Sequence, residues 1–276
     1  MNGTANRDVK MPVSVALGGR NLIKNLRAPM LITASLAQPL IWLVLFSQIF
    51  RGLADTPAFR RLGYGSYLEF LVPGMVVLSM LFTGLQSGLA TSTDIATGMM
   101  DKLLISPIRR SRILAGRVMA DAVTMLLQGA IILGAALFMG ARVRTGWPGA
   151  SAILASATIL GVVWASVPNL IALRTRNSEL TMVGGLLLTL PILFLTPAFF
   201  PRPLLPEWVR AVAAVNPAAY VIETGQRLMS LGTDWGQDLR TLIALAVASV
   251  VLIPLAVVAS MPRTKTRSTG PSPTTW

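Results

Sequence analysis

Long runs without a charged side chain alternate with short, mostly basic connections along this chain. A helix crosses the roughly 30 Å of bilayer hydrocarbon with about 20 apolar residues. Six runs free of Asp, Glu, Lys and Arg reach that length: Ala28 to Phe50, Phe70 to Thr93, Ala122 to Ala141, Thr145 to Leu173, Leu180 to Pro201 and Thr241 to Pro262. One such run could be a buried helix of a soluble protein, but six in one chain leave too little polar sequence to coat them. The pattern predicts an all-α integral membrane protein with six transmembrane helices. Pro39, Pro73, Pro191 and Pro197 fall inside these runs and predict kinked or locally opened helices.

Composition agrees: of 276 residues, 53% are hydrophobic and 13% charged, and the mean hydropathy is +0.65. The net charge of +13 could suit nucleic acid. The basic residues lie between apolar spans, however, so anionic lipid headgroups are the expected counter-charge and no nucleic-acid partner is expected. With no Cys and no His, a disulfide framework, thiol catalysis and the common zinc ligand sets are excluded. The short apolar run Val13 to Leu17 is a poor signal peptide, so the start is expected to be retained.

Placing the N-terminus in the cytoplasm puts 15 of the 24 Lys and Arg inside, as the positive-inside rule requires. Both termini then face the cytoplasm. Residues 1–28 form a cytoplasmic start, 29–262 one membrane domain, and 263–276 a Thr-, Ser- and Pro-rich tail expected to be disordered. Val13 to Arg27 mixes apolar and basic positions and suits either an interfacial helix or a plain basic flank.

Two polar stretches carry further pattern. In Asp94 to Asp121, Met99, Met100, Leu103 and Leu104 fall at helical spacing opposite Asp101 and Lys102, and Pro107 breaks the run before Arg109, Arg110 and Arg112. This predicts a short amphipathic helix below the membrane, able to dock in a partner's groove, or else a turn held by lipid phosphates. In Leu190 to Gly232, Pro191, Pro197, Pro201, Pro203 and Pro206 forbid one continuous helix, while Trp208, Val212 and Val215 can share a helical face ahead of Asn216 and Pro217. Half-penetrating or surface helices at the outer mouth are expected; an ordinary loop anchored by Trp208 and Tyr220 is the alternative.

Reactive chemistry is sparse. No GxxxxGK[ST] loop, HExxH or GxSxG motif occurs, so ATP hydrolysis would need another subunit. Asp121 and Glu69 lie near span ends, where snorkelling, or pairing of Asp121 with Arg117, explains them. A membrane enzyme would have to use Asp121 or Glu223 as general acid or base, and an ion-gradient carrier would need a membrane-centred charge or cation site.

The order of RNLIKNLRAP (Arg20 to Pro29), QPLIWLVLF, EFLVPGM (Glu69 to Met75), GMMDKLLISPIRRSRILAGRVMAD, FLTPAFFP, LLPEW and VNPAAYVIETGQRLMSLG resembles the ABC-2 type permeases, especially bacterial drug-resistance permeases of the daunorubicin exporter kind. The resemblance implies a bacterial plasma-membrane exporter of a hydrophobic or amphipathic compound: a drug, a natural product or a lipid. It also implies a second permease half and a separate P-loop ATPase carrying ATP and Mg, with no cofactor on this chain. It places a coupling helix at Gly98 to Pro107, implicating Gly98, Asp101, Lys102, Leu103, Leu104 and Pro107 with Arg109 and Arg110. It also places a connecting helix before the first span and re-entrant helices over Phe199 to Arg227. Phe199, Phe200, Trp208, Asn216, Pro217, Glu223 and Arg227 would form an external gate.

Overall fold

The computed structural model describes residues 29–99 and 110–233 and, beyond them, 238, 240, 241, 243, 245 and 247. These residues contain helices and no strand. In chain order they are α1 (Pro29–Ile49), a 3-10 turn (Arg51–Asp55), α2 (Pro57–Arg60), α3 (Tyr67–Ala96) and α4 (Arg110–Phe138). Then come α5 (Gly146–Thr175), α6 (Ser178–Phe194), a 3-10 turn (Arg202–Leu204), α7 (Glu207–Ala213) and α8 (Pro217–Ser230). The six positions from 238 to 247 are helical as well. The N-terminal interfacial helix, most of the coupling stretch, most of the last apolar run and the tail lie outside the described residues.

Among the described residues three helical stretches are long and apolar enough to cross a membrane: Tyr67–Ala96, Gly116–Phe138 and Gly146–Thr175. Ser178–Phe194 is a shorter apolar helix, and Leu36–Ile49 is an apolar stretch of α1. Helix ends follow side-chain chemistry. The Ser66 hydroxyl accepts the Glu69 amide at 3.1 Å and starts α3; Asn177 Oδ1 accepts the Glu179 and Leu180 amides at 2.8 and 3.1 Å and starts α6. Arg176, at φ 52° in the left-handed region, ends α5 and makes the turn into α6 tight.

Helix α3 is the centre of the bundle. Every residue from Phe70 to Leu81 is buried, so the helix is enclosed on all faces, and it packs against α1, α4, α5, α6 and α8. Its contact with α5 is the most extensive and relies on missing side chains. A Cβ on Gly84 would lie 3.2 Å from Ala165 backbone, and one on Gly88 would lie 2.5 Å from Pro168 Cβ and 2.7 Å from its carbonyl carbon. A Cβ on Gly161 would lie 2.8 Å from both Met80 and Met125, and one on Gly185 of α6 would collide with Leu85. Small residues allow helices to approach where lipid supplies no hydrophobic drive for association. The opposite surfaces are apolar and exposed: Val123, Leu126, Ile131 and Phe138 on α4, and Val183, Leu187 and Phe194 on α6.

The helices differ from the sequence expectation at particular points. α4 begins at Arg110, well before Ala122, because the basic first turns continue the helix beyond the apolar run. α6 stops at Phe194, short of the expected Pro201, since Pro197 and Pro201 cannot extend it. Pro39, Pro73, Pro168 and Pro191 each sit inside an uninterrupted helix, so the backbone opens only from Leu195 onward.

Gly88→Ala should lower stability by about 1–3 kcal/mol through overpacking against Pro168. Gly134→Ala, where a Cβ meets nothing within 4 Å, should be neutral or stabilising. Thermal unfolding of the two purified variants in one detergent measures the contrast.

Candidate functional site

The residues expected at the outer mouth gather at the Tyr67 end of the bundle. The segment after α6 turns back over α1 and α3 and is held there by aromatic rings. Phe199 lies 5.5 Å, centroid to centroid, from Phe46 and stacks on Phe194 at 5.7 Å. Phe200 meets Phe50 edge-on at 5.6 Å, and Phe50 in turn lies 5.5 Å from Tyr67. Trp42, Phe46 and Phe50 recur every fourth residue and therefore share one face of α1, which is why the rings form a continuous row. Edge-on and offset ring pairs favour such a cluster beyond their burial alone.

Polar groups tie the opened backbone of this segment. Tyr67 donates its hydroxyl to the Phe199 carbonyl at 3.0 Å. Gln226, 1% exposed, donates Nε2 to the Pro197 carbonyl at 2.7 Å, and Asn216 donates Nδ2 to the Ile192 carbonyl at 2.8 Å. A carbonyl freed by a helix break needs such a donor when water is excluded. Asn216 Oδ1 also accepts the Ala218 amide, and Pro217 sits in the first turn, so this pair starts α8.

Helix α8 enters the bundle with its small face inward. Gly225 packs where a Cβ would lie 2.6 Å from Pro73 of α3, and Ile222 and Met229 are buried beside it. Glu223 faces Arg202 at 3.3 Å, tying α8 to the proline segment. Arg227 is buried, donates to Thr224 at 3.2 Å and pairs with Asp238 at 2.9 Å, and Thr224 meets Thr241 at 2.6 Å. These contacts join α8 to the helix that follows it. Burial, and then the nearby Glu223 carboxylate, raise the Tyr64 phenol above its ordinary pKa against the opposing pull of Arg227, so it stays protonated. Trp208 and Val215 are 63% and 81% exposed, and Val212 lies on the same side of α7. Trp208 and Val212 thus share an outward face of α7, while Val215 of the expected face lies beyond its end, and α7 is anchored inward through Val209 and Ala213.

The opposite end carries the coupling stretch. Gly98, at φ 67°, closes α3 with its amide on the Ile95 carbonyl at 3.1 Å, and Arg110 opens α4. Asp101, Lys102, Leu103, Leu104, Pro107 and Arg109 lie outside the described residues. Asp121 departs from expectation. It accepts a hydrogen bond from Ser87 at 2.5 Å, while Arg117 reaches across to Asp94 at 3.0 Å. Ser87 lies deep in an apolar run and gave no sequence signal. Glu69 accepts the Arg142 amide at 3.1 Å and so fastens the α4–α5 connection to α3.

Among the described residues no group of three His, Cys, Asp or Glu could hold a metal ion. The site is built to hold backbone and apolar surface in place.

Sequence comparison gives the family. The profile of the ABC-2 type transporter family matches residues 14–229. The chain belongs to the ABC-2 type transporter family. Relatives of this ABC-2 chain include a ycf38 transport permease of Porphyra purpurea, 31% identical over 222 residues, covering 80% of this chain and 74% of that protein. Another is the daunorubicin resistance ABC transporter permease protein DrrB1 of Streptomyces coeruleorubidus, 26% identical over 196 residues, 69% of this chain and 65% of that one. The inner membrane transport permease YadH of Escherichia coli K12 is 26% identical over 204 residues, covering 72% and 77%. The ABC-2 chain is thus a membrane protein whose relatives are named as transport permeases.

Gln226→Leu should lower stability by about 1–3 kcal/mol because it leaves the Pro197 carbonyl without its donor. Gln226→Met, which keeps about the same size and has no N–H or O–H donor, should do the same. Thermal unfolding in detergent reads both, and wild-type behaviour of both would show that the bond contributes nothing.

Proposed function

We propose that this ABC-2 chain is the permease subunit of an ATP-driven exporter in a bacterial plasma membrane. It moves a hydrophobic or amphipathic compound outward, works with a second permease half, and binds no cofactor. ATP and Mg are bound by a separate P-loop ATPase, and the stretch between α3 and α4, with Gly98, Asp101, Lys102, Leu104 and Pro107, contacts that subunit. The spans number six, the last beginning near residue 238, and both termini are cytoplasmic. The observation that carries this reading is the family match over most of the chain, joined to a sequence with no phosphate-binding loop.

The Tyr67 end supports an external gate. The backbone between α6 and α8 is opened by prolines, covered by Phe199 and Phe200 and held by single side-chain bonds from Tyr67, Gln226 and Asn216. α7 and α8 are then the re-entrant pair, with Trp208 at the outer headgroups and Glu223 and Arg227 at the hinge to the last span. The substrate is taken as apolar because the helix surfaces available to it are apolar, and because a daunorubicin-resistance permease is among the relatives.

Affinity purification from gently solubilised membranes tests the reading. A stoichiometric P-loop ATPase with vanadate-sensitive activity is expected. Recovery of the chain alone, with transport driven by an ion gradient, overturns it. Leu104→Asp should leave the chain inserted and reduce recovery of the ATPase by about tenfold, on the order of 1.4 kcal/mol of docking energy. Unchanged recovery and unchanged transport would remove this contact assignment.

A further inference from the structure

The two helices flanking the 97–110 connection, α3 and α4, are joined to each other, and to α5 and α6, by a polar cluster inside an otherwise apolar bundle. Arg117, in the early turns of α4, donates Nη1 to Asp94 at 3.0 Å and Nη2 to the Ser87 carbonyl at 3.1 Å. Both acceptors belong to the last turns of α3. Ser87 donates to Asp121 of α4 at 2.5 Å and accepts Asn169 Nδ2 of α5 at 3.1 Å. Asn169 also donates to the Ala165 carbonyl at 2.7 Å, and its Oδ1 is met by Thr91 of α3. One turn further, Ser92 donates to Ser178 of α6 at 2.8 Å.

Four helices are therefore bonded at one level. Gly88 against Pro168 and Gly185 against Leu85 bring α3 close enough to α5 and α6 for these short side chains to meet. Ser87 and Thr91 are buried, so their bonds compete with little water. The Arg117 fork is planar and reaches a carboxylate and a carbonyl at once through two different nitrogens.

We infer that Arg117 and Asn169 are positioning residues that lock the ends of α3, α4 and α5 into one body, to which the Ser92–Ser178 bond ties α6. A displacement applied to the 97–110 connection then reaches α5 and α6 without loss in bending. The inference rests on the reading that this connection contacts the ATPase. It adds that the force spreads through side-chain bonds rather than along α3 and α4 alone. Asp121 serves here as an acceptor for Ser87, a structural part of the clamp.

The chain has no Cys, so a spin-label pair can be introduced directly at exposed Met119 of α4 and exposed Arg174 of α5 in the full-length chain, two helices that Arg117 and Asn169 each tie to α3. Pulsed electron-spin distances are recorded in lipid nanodiscs, with the co-purified ATPase in nucleotide-free and vanadate-trapped states, and on the chain alone. In wild type the mean distance should be the same in both states. In Arg117→Met the distribution should roughly double in width, as expected when a part-buried ion pair loses one partner. ATP hydrolysis per complex should stay near wild type. Arg117→Lys should fall between the two, and Asn169→Leu should broaden the distribution while leaving the Arg117–Asp94 pair in place. A wild-type distance that shifts by several ångströms on trapping, or distributions as narrow in the variants as in wild type, overturns the clamp. If Arg117→Met does not accumulate, Arg117→Lys and Asn169→Leu decide it. Failure to recover any ATPase sinks the functional reading separately, while the widths measured on the chain alone still decide the clamp.

Discussion

The bundle depends on how closely α3 and α5 can approach. In water, burial of apolar faces would drive the two helices together; between lipid-solvated helices that drive is absent, and contact has to come from fit. Gly84 and Gly88, one turn apart on α3, give up their side chains to Ala165 and Pro168, and Gly161 returns the same concession to Met80 on the other helix. Once the axes are this near, α4 and α6 close around the pair and α8 fits Gly225 against Pro73 at the far end. The central position of α3 follows from that sequence of contacts.

The two ends of the bundle are stabilised by different chemistry. At the Tyr67 end, large rings and proline-stiffened backbone carry most of the surface, and each opened carbonyl is answered by one donor, from Tyr67, Gln226 or Asn216. At the Ala96 end the groups are short hydroxyls, an amide and charges, sharing acceptors among four helices. Ring contacts tolerate sliding because dispersion varies gradually with offset, whereas a shared hydrogen bond is lost over a fraction of an ångström. The structure thus pairs a compliant end with a stiff one.

Much of this architecture was legible in the sequence, for a physical reason. Hydrocarbon thickness imposes a length on apolar runs that soluble helices do not obey, so the cores of α1, α3, α4, α5 and α6 were found from the absence of charge alone. Their ends were less legible. Arg110 to Arg117 carry three arginines yet are helical, because a helix continues past the bilayer boundary wherever its own hydrogen bonds persist. The α7 face carrying Trp208 and Val212 could be read from spacing, and the break after α6 from its prolines. The pairing of side chains could not. Ser87 and Asn169 are 82 residues apart, and Gln226 and Pro197 are 29 apart. Nothing in local pattern connects them, so Asp121 was read as snorkelling or pairing with nearby Arg117, and the hydrogen bond it accepts from Ser87 on another helix was not foreseen.

The brevity of α6 has a consequence for the surrounding membrane. Its 17 residues extend only about 26 Å at 1.5 Å per residue, less than the roughly 30 Å of a typical hydrocarbon layer, whereas α3 and α5 have 30 residues each. Leu187, Val183 and Phe194 face outward along that short length. On the six-span reading proposed above, acyl chains beside α6 shorten to match it while those beside longer helices need not, giving the protein an uneven hydrophobic belt. A thicker bilayer raises the elastic cost on that side first, so membrane composition bears on this protein through geometry as well as through charge.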